Sequence, residues 1–121
     1  MEVHIVGQIV ITQEADTPWR WSSKKAWSGT AEKGEPGVRY KVLNSATIAG
    51  PNVQLAQYEP GHVEPTHSHP HDEVLYILEG AGTVGDRDLT PGMLLYVEKD
   101  TLYGPLTSGP NGLTFLRVQT S

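Results

Sequence analysis

From residue 38 onward, short runs of β-branched, aromatic and aliphatic residues alternate with turn formers. The runs cover residues 38–43, 53–58, 74–78, 93–97 and 113–118. Between them stand Gly50-Pro51-Asn52, Pro60-Gly61, Pro70-His71-Asp72, Gly80-Ala81-Gly82, Gly85-Asp86, Pro91-Gly92 and the run Ser108-Gly109-Pro110-Asn111-Gly112. Short strands at that spacing predict an all-β sandwich or barrel, and no segment keeps a helical period for long. Residues 12–37 differ: they are polar, carry Trp19, Trp21 and Trp27, and show no alternation. This segment is predicted to be an irregular arm whose tryptophans cover one end of the barrel. The reading is of one domain in two parts, an N-terminal strand and arm over 1–37 and a barrel over 38–121.

Alternation assigns faces within the strands. In the run 53–58, apolar parity puts Val53, Leu55 and Gln57 inside, where Gln57 would be a polar group able to orient a ligand; a slipped register would place Gln54 and Tyr58 there instead. In the run 74–78, Leu75 and Ile77 share a face with Glu73 and give a cavity an apolar floor. Val74 and Tyr76 then face outward, which with the tryptophan arm suggests a homodimer interface.

Composition narrows the function classes. The 121 residues include 13 glycines and 9 prolines, which suits many tight turns. Lys and Arg number 9 against 14 Asp and Glu, with no basic run, so a nucleic-acid partner is excluded as an expectation. There is no cysteine, which removes disulfides, thiolate catalysis and Cys-ligated metal centres. No apolar stretch approaches the roughly 18 residues needed to span a bilayer, and the chain opens with an acid at Glu2 and no basic segment. A soluble cytoplasmic protein is the expectation, without a membrane partner.

The chemistry concentrates in the histidines, of which four of five stand at positions 62, 67, 69 and 71. His67 and His69 are two apart, so on extended chain both imidazoles leave the same face. After the Pro70-His71-Asp72 turn, Glu73 opens the next apolar strand and can point back at them. Two imidazoles and one carboxylate form the facial set favoured by non-haem Fe(II), and the same donors accept Zn, Mn, Ni or Cu. His71 is read as an exposed turn residue, His62 as a rim residue on the opposite parity, and His4 carries no signal.

The text GHVEPTHSHPHDEVLYILEG, with Gly61, His67, His69, Glu73 and Gly80 at fixed offsets, resembles the first conserved motif of the cupin superfamily. That resemblance implies a double-stranded β-helix, or jelly-roll barrel, whose mouth holds one divalent metal ion on His67, His69 and Glu73, Fe being favoured. The second motif of that superfamily places Pro, Gly and then a fourth ligand His after a strand. Here PGMLLYVEKDTLYGP puts Glu98, Asp100 and Tyr103 at those places, so the fourth His is replaced by Tyr103. A phenol beside a cation can act as a ligand or proton carrier. The stretches GVRYKVLNS and YGPLTSGPNGLTFLRVQTS further resemble single-domain cupins that include ChrR-type sensors and dihydroxyacetophenone and acetylacetone dioxygenases.

The function expected from this resemblance is a metal-dependent dioxygenase of a small oxygenated substrate, a diketone or an aromatic ketone. Tyr103 and Gln57 would orient substrate or move a proton. The alternatives are a redox-neutral lyase or isomerase with the metal as Lewis acid, and a noncatalytic sensor or small-ligand binder.

Overall fold

The computed structural model describes residues 7–23 and 37–120. Trp27 and His4, both singled out above, lie outside those residues, as does most of the stretch joining the arm to the barrel. Among the described residues there are eight strands and a single 3-10 turn at Glu14–Asp16. The strands are β1 (Arg20–Ser23), β2 (Val38–Asn44), β3 (Asn52–Tyr58), β4 (Val63–Glu64), β5 (Asp72–Val84), β6 (Arg87–Leu89), β7 (Leu94–Val97) and β8 (Leu106–Thr120). No helix among the described residues is long and apolar enough to cross a membrane.

All pairings are antiparallel, in the order β1-β2-β3-β8-β5-β6, with β4 on β8 and β7 on β5. The two longest strands, β5 and β8, form the spine. The sheet folds on itself as a jelly roll and buries Leu75 and Ile77 of β5 against Phe115 and Leu113 of β8, with Leu106, Ala56 and Tyr58 beside them. Each fully buried aliphatic or aromatic side chain there contributes about 1.5–3 kcal/mol.

Two glycine-rich stretches read as turns are strand interiors. β5 runs through Gly80-Ala81-Gly82 and β8 through residues 108–112, with pairing shifts at Ile77/Glu79 and Gly80/Gly82. The glycines serve close approach here. A Cβ at Gly80, whose φ is +79°, would stand 2.1 Å from the carbonyl oxygen of Gly112. The bulges bend the paired strands and close the barrel. Pro91-Gly92 and Gly85-Asp86 are turns, as expected.

The arm is also less irregular than its sequence suggests. β1 pairs with β2 through Arg20 opposite Tyr40 and Trp21 opposite Arg39. Trp19 lies under the Arg39 guanidinium, 4.2 Å from its ring centroid, and 4.8 Å from the Lys41 ammonium. Lys41 Nζ donates to the main-chain oxygen of Glu14 at 3.1 Å and to its carboxylate at 3.2 Å. Through Trp19, this part of the arm therefore covers the outer face of β2.

Candidate functional site

The residues at the site come from three places. His67 stands in the segment before β5 and pairs with Tyr103 in an isolated bridge: the His67 amide donates to the Tyr103 carbonyl at 3.1 Å, and the Tyr103 amide to the His67 carbonyl at 3.0 Å. The Asp100 amide donates to the His69 carbonyl at 2.7 Å, and the Lys99 amide to the Asp72 carboxylate at 2.9 Å. Asp100 sits at φ 62°, a left-handed position that Asp tolerates, where the resemblance has glycine. The loop after β7 is thus stitched to the histidine segment, and this delivers Tyr103.

Glu73 occupies the inner face of β5 and is 1% exposed. Both of its oxygens are engaged: the Tyr103 hydroxyl donates to Oε1 at 2.6 Å and Gln119 Nε2 to Oε2 at 2.8 Å. His69 Nε2 and Arg117 Nε each lie 3.7 Å from Oε2, close enough for charge interaction and too far for a hydrogen bond. The His67 and His69 rings meet edge to face, with centroids 4.7 Å apart, and the Tyr103 ring lies 4.7 Å from His67. Burial holds the His69 imidazole below its ordinary pKa, partly offset by the Glu73 charge. Burial first, and then the hydrogen bond to Glu73, push the Tyr103 phenol well above its ordinary value, so it keeps its proton.

Among the described residues no three His, Asp or Glu side chains already stand in a closed metal-binding geometry. Glu73 is turned to Tyr103 and Gln119. The donors nevertheless fit a cation. His67 Nδ1 lies 2.6 Å from the Pro65 carbonyl, which can only accept, so Nδ1 carries the proton and Nε2 presents a lone pair. His69 Nε2 is buried with no hydrogen-bond partner, a costly state that a metal ion would relieve. Each Glu73 oxygen retains a second lone pair.

His67 and His69 open onto a cavity of about 310 Å³, lined also by Gln54, Tyr58, Glu64 and Arg117. Tyr103 lines another hollow, of about 460 Å³, with Leu89, Leu95 and Val97. The inner row of β3 is therefore Gln54, Ala56 and Tyr58, the slipped register, and the assignment of Gln57 to the interior is corrected. Gln57 lies on the outer face, where Arg39 Nε donates to it at 2.8 Å and it donates to Thr114 at 3.2 Å. The physical reason is that Lys41 and Leu55, paired on that outer face, are both buried. Apolar residues there answer to that cover and not to the core.

His62, expected at a rim, packs edge-on against Tyr58 with centroids 4.7 Å apart and bonds Glu64 at 3.1 Å. His71 faces a separate hollow with Asn52 and Gln119. Sequence reasoning missed Arg117 and Gln119, although the signal was present: Leu113, Phe115, Arg117 and Gln119 share one parity. The register puts Arg117 opposite Leu75 and Gln119 opposite Glu73.

Comparison with known proteins agrees with this architecture. The family model described as the ChrR cupin-like domain matches residues 12–120. The dimethylsulfoniopropionate lyase DddW of Ruegeria pomeroyi is 33% identical over 85 residues, which make up 64% of this chain and 55% of the lyase. The chain thus spans only about half of that relative. Among solved structures, KdgF from Halomonas sp. superposes with a TM-score of 0.71 at 18% identity, covering 94% of this chain and 96% of that one. The anti-sigma ChrR complex with SigE of Rhodobacter sphaeroides gives 0.63 at 18% identity, covering 89% and 52%.

Proposed function

The chain belongs to the ChrR cupin-like domain family, and from that premise and the site's geometry we propose that it is a metal-dependent cupin enzyme. Its reaction is proposed to be a redox-neutral lyase or isomerase step on a small oxygenated organic compound. The observation that carries the reading is the pair of imidazole nitrogens left open at the cavity, the unpartnered His69 Nε2 and the lone pair of His67 Nε2. The lyase relative supports the redox-neutral class.

His67, His69 and Glu73 would hold the ion, a divalent transition metal. When bound, such an ion supplies Lewis acidity toward a substrate oxygen. The chain's own residues do the rest. Tyr103 and Gln119 fix the rotation of the Glu73 carboxylate, one on each oxygen. The Tyr103 hydroxyl keeps its proton and spends it on that carboxylate. Val38, Ala56 and Tyr58 are among the residues that wall the cavity.

A second reading keeps the two-His, one-carboxylate donor set as that of an Fe(II) dioxygenase of a diketone or aromatic ketone. The two are separated by assaying candidate diketones, aromatic ketones and short organic acids with reconstituted protein under nitrogen and in air. Turnover that survives without O2 supports the lyase reading, and O2 consumption matched to product supports the dioxygenase. Under either, the double variant His67→Ala, His69→Ala should lose at least nine-tenths of its metal in elemental analysis. Full metal content in that variant would overturn the site. The proposal includes a homodimer, supported by the exposed apolar residues Tyr76, Leu94 and Tyr96 on paired positions of β5 and β7.

A further inference from the structure

Arg117 lines the cavity and is not used by the proposed reaction. It projects inward from β8 on the same face as Phe115, in register with Gln54 on one side and Leu75 on the other. Its guanidinium lies 5.4 Å from the Phe115 ring centroid, and the side chain is 17% exposed. A cation this enclosed is costly unless paired.

The pairing available to it is incomplete. Its closest carboxylate oxygen, Glu73 Oε2, is 3.7 Å from Nε and already accepts from Gln119. Arg117 Nε is buried without a hydrogen-bond partner. The other carboxylate on the cavity, Glu64, is bonded to His62 at 3.1 Å, and its side chain is 39% exposed, against 17% for Arg117. The cavity is therefore lined by an incompletely paired guanidinium beside two imidazoles. A guanidinium with an unfilled donor selects for an anionic acceptor.

We infer that Arg117 is the specificity-determining residue of this cavity and that the compound bound there carries a carboxylate, which Arg117 receives. The inference rests on the cavity being the substrate site of the proposed enzyme and names its substrate class. A guanidinium presents its N–H groups in a planar fork, and a carboxylate matches that geometry better than a neutral carbonyl does. Gln54, beside Arg117 in the register, supplies an amide for the same group.

The test is ligand binding by NMR titration of the full chain, before and after EDTA treatment, with lactate, propionate and benzoate and with the corresponding neutral amides as probes. At least one carboxylate should bind ten-fold or more tightly than its amide. Arg117→Gln should weaken that carboxylate ten- to hundred-fold and leave the amide unchanged, and Arg117→Lys should fall between, with melting curves reporting on the fold of each. Equal affinity for acids and amides, no binding of any acid, or an unaltered affinity in Arg117→Gln would overturn the inference. Arg117-dependent binding together with no turnover of any acid would sink the enzymatic reading while upholding the carboxylate site.

Discussion

On the inner face of β5, Glu73, Leu75 and Ile77 are 1%, 0% and 0% exposed, whereas Tyr76 and Leu78 on the outer face keep 40% and 41%. Hydropathy does not separate the two faces, since the outer one is as apolar as the inner. What separates them is the opposing layer. Inside, β5 lies against Phe115, Leu113 and Leu106; outside, Tyr76 pairs across to Leu94 and Val74 to Tyr96, and that surface carries no further layer among the described residues. The inner face fixes the fold and the carboxylate, and the outer face offers a continuous apolar patch of the kind that marks an interaction surface.

Paired truncations make the sharpest break of that comparison. Ile77→Ala empties a fully buried site and should cost about 2–5 kcal/mol. Leu78→Ala, one residue along the same strand, should change stability by about 0.5 kcal/mol or less. Urea denaturation midpoints read both, and equal losses would erase the distinction between the faces.

The buried Tyr58 gives the inner face a second signature. Burial pushes the Tyr58 phenol up to about 12, and Arg117 only partly offsets that. The folded chain then disfavours the phenolate relative to the unfolded chain, so this contribution is complete below pH 10 and is lost as pH rises through about 12. Two pH units correspond to at most about 3 kcal/mol. Replacing Tyr58 with Phe should flatten the alkaline limb of the stability profile, read from urea midpoints at rising pH.

How much of this was legible in the sequence follows from the same contrast. The strand runs and the His67, His69, Glu73 spacing stood out because each depends on short-range pattern alone. Faces were legible on β5, where Glu73 marks one parity, and misread on β3, where buried Leu55 on the outer side imitates a core residue. Glycines gave the least: Gly80 and Gly112 look like turn residues but serve the close crossing of β5 and β8, a long-range contact with no local signature. Gln119 and Arg117 were readable by parity once β8 was known to extend to Thr120. The Tyr103 to Glu73 bond spans thirty positions in the chain and needed the fold.

That bond sets the next effect in size. Tyr103→Phe removes the donor from Oε1 and leaves a buried carboxylate oxygen unsatisfied, which should cost about 1–3 kcal/mol of stability. Metal content should change little, because Tyr103 acts here on the carboxylate and not as a donor to the ion. A ten-fold fall in metal occupancy in Tyr103→Phe would instead make the phenol a ligand. Gln119→Leu strips the other oxygen and should give a loss of similar size by the same measurement.

The smallest effect on folding belongs to the outer face, and it sharpens the comparison because a different property should move. Tyr76 and Leu94 are paired across β5 and β7, 40% and 59% exposed, with Tyr96 beside them at 60%. Tyr76→Lys and Tyr96→Lys place charges on a surface already open to water, so the monomer should shift by about 0.5 kcal/mol or less. If two copies bury this patch against each other, the same charges meet their symmetry mates across the axis and repel. Sedimentation of the unaltered chain at micromolar concentration should then report a dimer, and the double variant a monomer with an unchanged denaturation midpoint. A monomer in both would leave the outer face of β5 without a second copy as its partner, and a dimer in both would move the interface elsewhere.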